Sequence, residues 1–211
     1  MTEEQPTIVD WIHPPAGVEE ESLWVALHDS ELTVFDLDAP NNFAHLEFDI
    51  AYLWEFHSLP ETTRLHVDFS GLQALRAERS RSWIGDFPEI EQESRDERDK
   101  RVKEYWAKWI TTSLNFIDFL AELEVAFQAD SSFLVLQPKL LRGDGAVSLQ
   151  IFGYEEDNYT EWMIRARELS IQLSTGTRMT VEELVEFGGK YWEERQKAPT
   201  GKAWKGIEDI F

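Results

Sequence analysis

Five side chains on two alternating stretches are the ones best suited to chemistry. They are His45, Glu47 and Asp49 within Ala44–Ile50, and His66 and Asp68 beside Leu65, Val67 and Phe69. In extended chain, residues two apart share a face. The first three therefore point the same way, and pairing of the two stretches would set His66 and Asp68 opposite them. Two imidazoles and three carboxylates make a nitrogen-and-oxygen donor set that suits zinc, manganese or iron. A metal-dependent enzyme built on His45, Glu47, Asp49, His66 and Asp68 is thus one reading. The plainer one is a strand pair whose outer face is polar because it meets water.

Other combinations carry less. His28-Asp29 has the form of a metal phosphohydrolase pair but lacks histidine and aspartate companions on helices. It reads better as an imidazole satisfied at a strand end, with Asp29 opening a turn. Glu55 with Glu61, or the run Glu155-Glu156-Asp157, would serve as acid and base only if one carboxyl were desolvated enough to keep its proton. With 41 acidic residues, such neighbours arise without purpose. Arg142-Gly143-Asp144-Gly145 has the glycines of a hairpin turn. Glycine-rich phosphate loops, nucleophile elbows and serine–histidine–aspartate spacings are missing from the sequence. The lack of cysteine excludes disulfides, zinc ribbons and thiol catalysis. No catalytic residue is assigned, and no cofactor is expected.

The elements that position the histidine–carboxylate face follow from periodicity. Leu23–Asp38 reads as extended, its apolar character carried by Leu32, Val34, Phe35 and Leu37. Ala39-Pro40-Asn41-Asn42 is a turn, because proline fixes φ and asparagine tolerates the left-handed region. Ala44, Leu46, Phe48 and Ile50 then alternate with the polar set, Ser58–Glu61 turns the chain, and Leu65, Val67 and Phe69 alternate again. The result is a three-strand meander. Leu75–Ile90 is irregular and holds Arg76, Arg79 and Arg81, a group suited to local pairing with Glu78. Val102, Tyr105, Trp106, Trp109 and Ile110 form the apolar stripe of a helix over Glu91–Ile110.

Leu114–Gln128 satisfies both periods. Ile117, Phe119, Ala121, Leu123, Val125 and Phe127 alternate, while Phe116, Leu120, Leu123 and Phe127 continue a helical stripe. Thr111-Thr112-Ser113 is a poor helix interior, so the expectation is a break there and a strand after it. Phe133–Leu136 and Ala146–Phe152 bracket the Arg142–Gly145 turn, and Tyr159–Leu173 then alternates, with Trp162, Ile164, Ala166 and Leu169 inward. Ala121–Val125, Ala146–Phe152 and Tyr159–Leu173 read as a second three-strand meander. Thr180-Val181-Glu182-Glu183 is a capping box opening a helix to about Lys197. Val181, Leu184, Val185, Gly188, Tyr191 and Trp192 form its buried stripe. Gly188-Gly189 weakens that helix, which predicts close backbone packing there.

The organisation is one domain over 1–211. It divides into a first meander (1–75), a loop and charged helix (76–113), a second meander (114–178) and a C-terminal helix and tail (179–211). The fold class is α+β, mainly antiparallel sheet, with two principal amphipathic helices. Ser30–Val34, Ala44–Ile50 and Arg64–Leu72 are loosely echoed by Ala121–Val125, Ala146–Phe152 and Tyr159–Leu173. Duplication and independent hairpins both produce such an echo. Two such meanders could pack face to face as a sandwich.

Charge defines the surface. No lysine or arginine precedes Arg64, whereas the same 63 residues carry fourteen carboxylates. The remaining 148 residues hold 27 acids against 20 bases, so two thirds of the net charge of -21 comes from the first third. Such a field repels nucleic acid and anionic membrane and draws a basic partner from a distance. An aromatic content of 13% with nine tryptophans argues for a folded chain despite that charge. Trp11, Trp83 and Trp204 sit in irregular segments, where an indole either pins a loop or anchors an interface. The apolar runs are too short to span a bilayer, and the start lacks a secretory signal, so a cytoplasmic location is expected. Trp204, Ile207, Ile210 and Phe211 in the tail imply docking onto the chain's own body or onto a second copy as a homodimer.

Leu27-His28-Asp29-Ser30-Glu31-Leu32, followed by paired strands and Val67-Asp68-Phe69-Ser70-Gly71-Leu72, resembles a pattern in small uncharacterised bacterial β-rich families that include immunity proteins of toxin systems. The resemblance covers about the first 75 residues. It implies a non-catalytic antiparallel domain that neutralises a toxin, and it transfers no site residue. Combined with the charge, it gives the leading expectation: a non-enzymatic acidic binding protein that covers a basic protein partner. Asp36, Asp38, Glu47, Asp49 and Trp54 are its expected contact residues.

Overall fold

The alternation over Ala44–Ile50 is realised as a strand to Asp49, with Ala44, Leu46, Phe48 and the following Ile50 buried and His45, Glu47 and Asp49 half-buried. It is the third strand of a computed structural model that describes residues 18–81, 97, 110–129, 131–155 and 158–197. In chain order the elements are β1 (Glu19–Ser22), α1 (Trp24–Leu27), β2 (Glu31–Asp38), β3 (Phe43–Asp49), α2 (Ala51–Glu55) and β4 (Leu65–Arg81). There follow β5 (Ile110–Leu114), α3 (Phe116–Gln128), β6 (Phe133–Gly143), β7 (Ala146–Glu155), β8 (Asn158–Leu173), β9 (Arg178–Met179) and α4 (Val181–Lys197). The class is α+β, dominated by antiparallel sheet.

The first meander is present as β2–β3–β4; the second is β6–β7–β8, with β6 in place of the expected Ala121–Val125, and the two share edges instead of forming separate sheets. β4 pairs with β8 from Leu65↔Leu173 to Ser80↔Tyr159, and β2 meets β6 at Glu31↔Leu134 and Leu32↔Phe133. The pairing path β2–β3–β4–β8–β7–β6 therefore returns to its start. Closure of this kind hides strand edges. Leu46, Phe48, Leu65, Val67, Phe69, Phe133, Val135, Leu149, Ile151, Trp162 and Ile164 belong to one core cluster. A bulge between Leu32 and Val34 explains why the apolar residues of β2 do not alternate: it returns Phe35 to the core side.

Three expectations need correction here. The extended stretch from Leu23 begins with a helical turn, α1, whose Ala26 and Leu27 are buried. Arg76, Arg79 and Arg81 lie on β4, whose pairing with β8 carries the strand into the stretch expected to be irregular, of which 82–90 lie outside the described residues. Leu114–Gln128 is a helix after its first two residues, not a strand. Asn115 caps it, its side chain accepting from the amides of Ile117 and Asp118. α3 buries Phe116, Phe119, Leu123 and Ala126, while Ile117 and Val125 face outward at 60% and 68% exposure. The break at Thr111-Thr112-Ser113 is real, but the β-branched run is itself strand β5.

It follows that Ala121–Val125 is no counterpart of the first strand; β6 occupies that place. Each meander is preceded by a helix, α1 or α3. The helix expected over 91–110 lies outside the described residues except for Glu97, which is helical, and Ile110, which opens β5. Trp11, Trp83, Trp204 and the tail after Pro199 also lie outside them, as does any tail-mediated dimer.

α4 forms as expected. Glu183 accepts from the Thr180 amide at 2.7 Å while the Thr180 hydroxyl accepts from the Glu183 amide at 3.1 Å, the reciprocal pair of a capping box. Gly188 lies against α1 so closely that a Cβ there would sit 1.9 Å from the Val25 carbonyl oxygen. At Gly189 a Cβ would meet nothing within 4 Å, so only the first of the two glycines serves close packing.

Candidate functional site

Register places the singled-out side chains in a block on the outer face of the first meander. β3 and β4 pair His45 with Asp68 and Glu47 with His66. Directly opposed residues hold their Cβ atoms about 4.5–5.5 Å apart, so imidazoles and carboxylates alternate around a two-by-two square. The His45 Nδ1 lies 2.6 Å from Asp68 Oδ1, and its Nε2 lies 3.2 Å from Glu47 Oε1. His66 Nε2 is 3.6 Å from that same Glu47 oxygen. The two rings meet edge to face with centroids 5.1 Å apart.

His45 has its pKa raised above the ordinary histidine value. Burial, the largest single influence, pulls it down, but hydrogen bonds to Asp68 and Glu47 and the charge of both carboxylates together outweigh it. Both ring nitrogens thus face a carboxylate oxygen, an arrangement that favours the protonated ring.

The five expected metal-site residues do not all converge. His45, Glu47 and His66 do, with one ligand atom from each lying within 4.8 Å of the others. Asp68 stands behind His45, on its Nδ1. Asp49 is taken by Arg64, at 3.0 Å.

The expected partner surface divides in the same way. Asp36 sits opposite His45 across β2 and β3 and is exposed, as is Asp38, which accepts from Asn41 in the turn after β2. Glu31, opposite Asp49, is exposed on the same face. Trp54 is half-buried on α2, beyond the far end of β3. Six residues of strand, about 20 Å, separate the Asp38 partner Phe43 from Asp49, so Trp54 does not join Asp36 and Asp38.

Part of the early acid surplus is met by bases from later in the chain. Glu20 pairs with Lys139 at 3.0 Å and Glu21 lies 3.9 Å from Arg142. Among the described ion pairs none engages Glu31, Asp36 or Asp38. Arg76 pairs with Glu78 as the sequence suggested, and Arg79 reaches Glu122, tying α3 to β4.

The other two described histidines, His28 and His57, have structural roles. His28 Nδ1 lies 2.9 Å from the Leu136 carbonyl, and its ring stacks on Trp24 at 4.5 Å. Asp29 adopts φ 60, the turn role expected for it. His57 stacks on Phe187 at 3.8 Å and joins the α2 end to α4. Sequence reasoning missed the seam of Trp24, Trp192 and Arg195, in which the Trp192 indole donates to the Val25 carbonyl at 3.1 Å and Arg195 lies over the Trp192 ring. The stripe of α4 already contained Trp192; its partner on α1 was hidden by the extended reading. No protein-family model, curated protein or solved structure matches this chain.

Proposed function

We propose that this chain is a non-enzymatic acidic binding protein, of the immunity or antitoxin type, that covers a basic surface on a protein partner. The observation that carries the reading is the row Glu31, Asp36 and Asp38: three exposed carboxylates on one face of β2, none held by a described ion pair. Unscreened carboxylates of one sign on a rigid strand steer a basic partner and raise its association rate more than its final affinity. The internal pairing of Glu20, Glu21 and Asp49 narrows the partner surface to this row and the adjoining Glu47.

The test is pulldown from the native host followed by stopped-flow association with the recovered protein at rising salt. A basic partner is expected, with an association rate that falls as salt rises and falls further for the double variant Asp36→Lys/Asp38→Lys. Recovery of an acidic partner, or a rate insensitive to salt and to charge reversal, would overturn the reading.

A further inference from the structure

We infer that His45, Glu47 and His66 form a binding site for one divalent transition-metal ion of the zinc class, with Asp68 as the group that orients His45. This goes beyond the partner-binding reading and does not rest on it. The ligand set is two imidazole nitrogens and one carboxylate oxygen, the donors zinc takes at about 2.0–2.2 Å. Two such bonds at a tetrahedral angle place their donor atoms about 3.4 Å apart. The two distances around Glu47 Oε1, 3.2 Å to His45 Nε2 and 3.6 Å to His66 Nε2, bracket that value. All three donors fall within 4.8 Å of one another.

The backbone makes this geometry reproducible. His45 and Glu47 are neighbours on one face of β3, and His66 faces Glu47 across a regular ladder with no bulge between them. β4 is paired on its other edge to β8 through the same residues, His66↔Gln172 and Asp68↔Ser170. The ligands therefore stand on a strand pair fixed from both sides, where side-chain positions are set more firmly than on loops.

The fourth residue points to metal more than to a solvated face. A metal-bound histidine commonly gives its second ring nitrogen to a carboxylate, which fixes the tautomer and raises ligand basicity. Asp68 Oδ1 at 2.6 Å from His45 Nδ1 occupies that place and leaves Nε2 aimed at Glu47. Asp36, across from His45, adds a third negative charge to the surroundings of Glu47 and Asp68. A dication would be attracted by that field, and three protein ligands leave its remaining positions open to water or to a partner's side chain.

The experiment uses the full untagged chain, stripped with chelator and titrated with Zn²⁺ by calorimetry. One saturable ion per chain is expected. Glu47→Gln and His66→Ala should each weaken binding at least about tenfold, and Asp68→Asn by about 10–100-fold, the usual loss for such an orienting partner. Asp49→Asn should leave the affinity within about twofold, because that carboxylate is held by Arg64. Long-range ¹H–¹⁵N spectra of the wild-type histidine rings give a reading that needs no variant. Zn²⁺ should shift Nε2 of His45 and His66 and leave His28 and His57 in place. No saturable binding, binding indifferent to Glu47→Gln, or shifts confined to the other histidines would each overturn the site.

Discussion

The paired glycines of α4 offer a sign test of the packing. Gly188→Ala and Gly189→Ala make the same chemical change at adjacent helix positions, and each gains about 1 kcal/mol of helix propensity. At Gly189 nothing lies within 4 Å of the new methyl, so that gain stands almost alone. At Gly188 the methyl would lie 1.9 Å from the Val25 oxygen, 2.6 Å from its carbonyl carbon and 2.9 Å from the Ala26 Cα.

Ordinary carbon–oxygen contact begins near about 3.3 Å, so α1 and α4 must separate by more than an ångström. α1 cannot yield freely: Ala26 and Leu27 are buried, the Tyr52 hydroxyl donates to the Ala26 carbonyl at 2.8 Å, and Trp192 donates to Val25. Overpacking costs about 1–3 kcal/mol, and the obstacle here is backbone, which favours the upper end. Loss of the Trp192 hydrogen bond adds about 1 kcal/mol. Against the propensity gain, Gly188→Ala should lose about 2–3 kcal/mol net. Gly189→Ala should gain about 0.5–1 kcal/mol.

For a chain of this length each kcal/mol moves Tm by about 2–4 °C. Urea and thermal melts of the two variants should therefore move in opposite directions. If Gly188→Ala melts no lower than Gly189→Ala, the close approach of α1 and α4 is wrong.

Three further outcomes follow from the same reasoning. Asn115→Ala removes the cap of α3 and should cost about 1 kcal/mol in a urea melt, whereas a strand at this position would be indifferent to it. Trp162 is wholly buried and its indole nitrogen has no hydrogen-bond partner. Trp162→Ala should cost about 3–5 kcal/mol, while Trp162→Phe should cost far less because it also removes the orphaned donor. His45 has a folded-state pKa above its unfolded value, so its contribution is fully present below the unfolded value, near 6.5, and is lost as pH rises through the folded one. With chelator present, the stability lost by Asp68→Asn should be larger at pH 6 than at pH 9; equal losses would remove Asp68 as the counter-charge.

The histidine–carboxylate face was readable because β3 and β4 are half-buried antiparallel strands, whose period exposes every second residue. The capping box of α4 was readable because its two hydrogen bonds are local. α3 was not, because its outward side carries Ile117, Ala121 and Val125, which complete a false alternation with the buried Phe119 and Leu123. Asn115, with Asp118 in the first turn, was the overlooked signal. The division of the five-residue cluster could not be read at all. Whether Asp49 faces His66 or Arg64 depends on where Arg64 enters β4, a matter of three-dimensional placement. The β4–β8 seam joins positions about 80–110 residues apart and leaves no trace in a local window.

That seam bears on how the molecule is made. A ribosome must deliver the chain as far as Leu173 before β8 can reach its place in full, so β4 emerges with one long side unsatisfied and waits. During that interval the nascent half carries apolar residues destined for the interior beside an exposed ladder of amides, the condition under which chains self-associate. Its fourteen early carboxylates, with Glu20 and Glu21 still lacking Lys139 and Arg142, would keep such half-made molecules apart by repulsion.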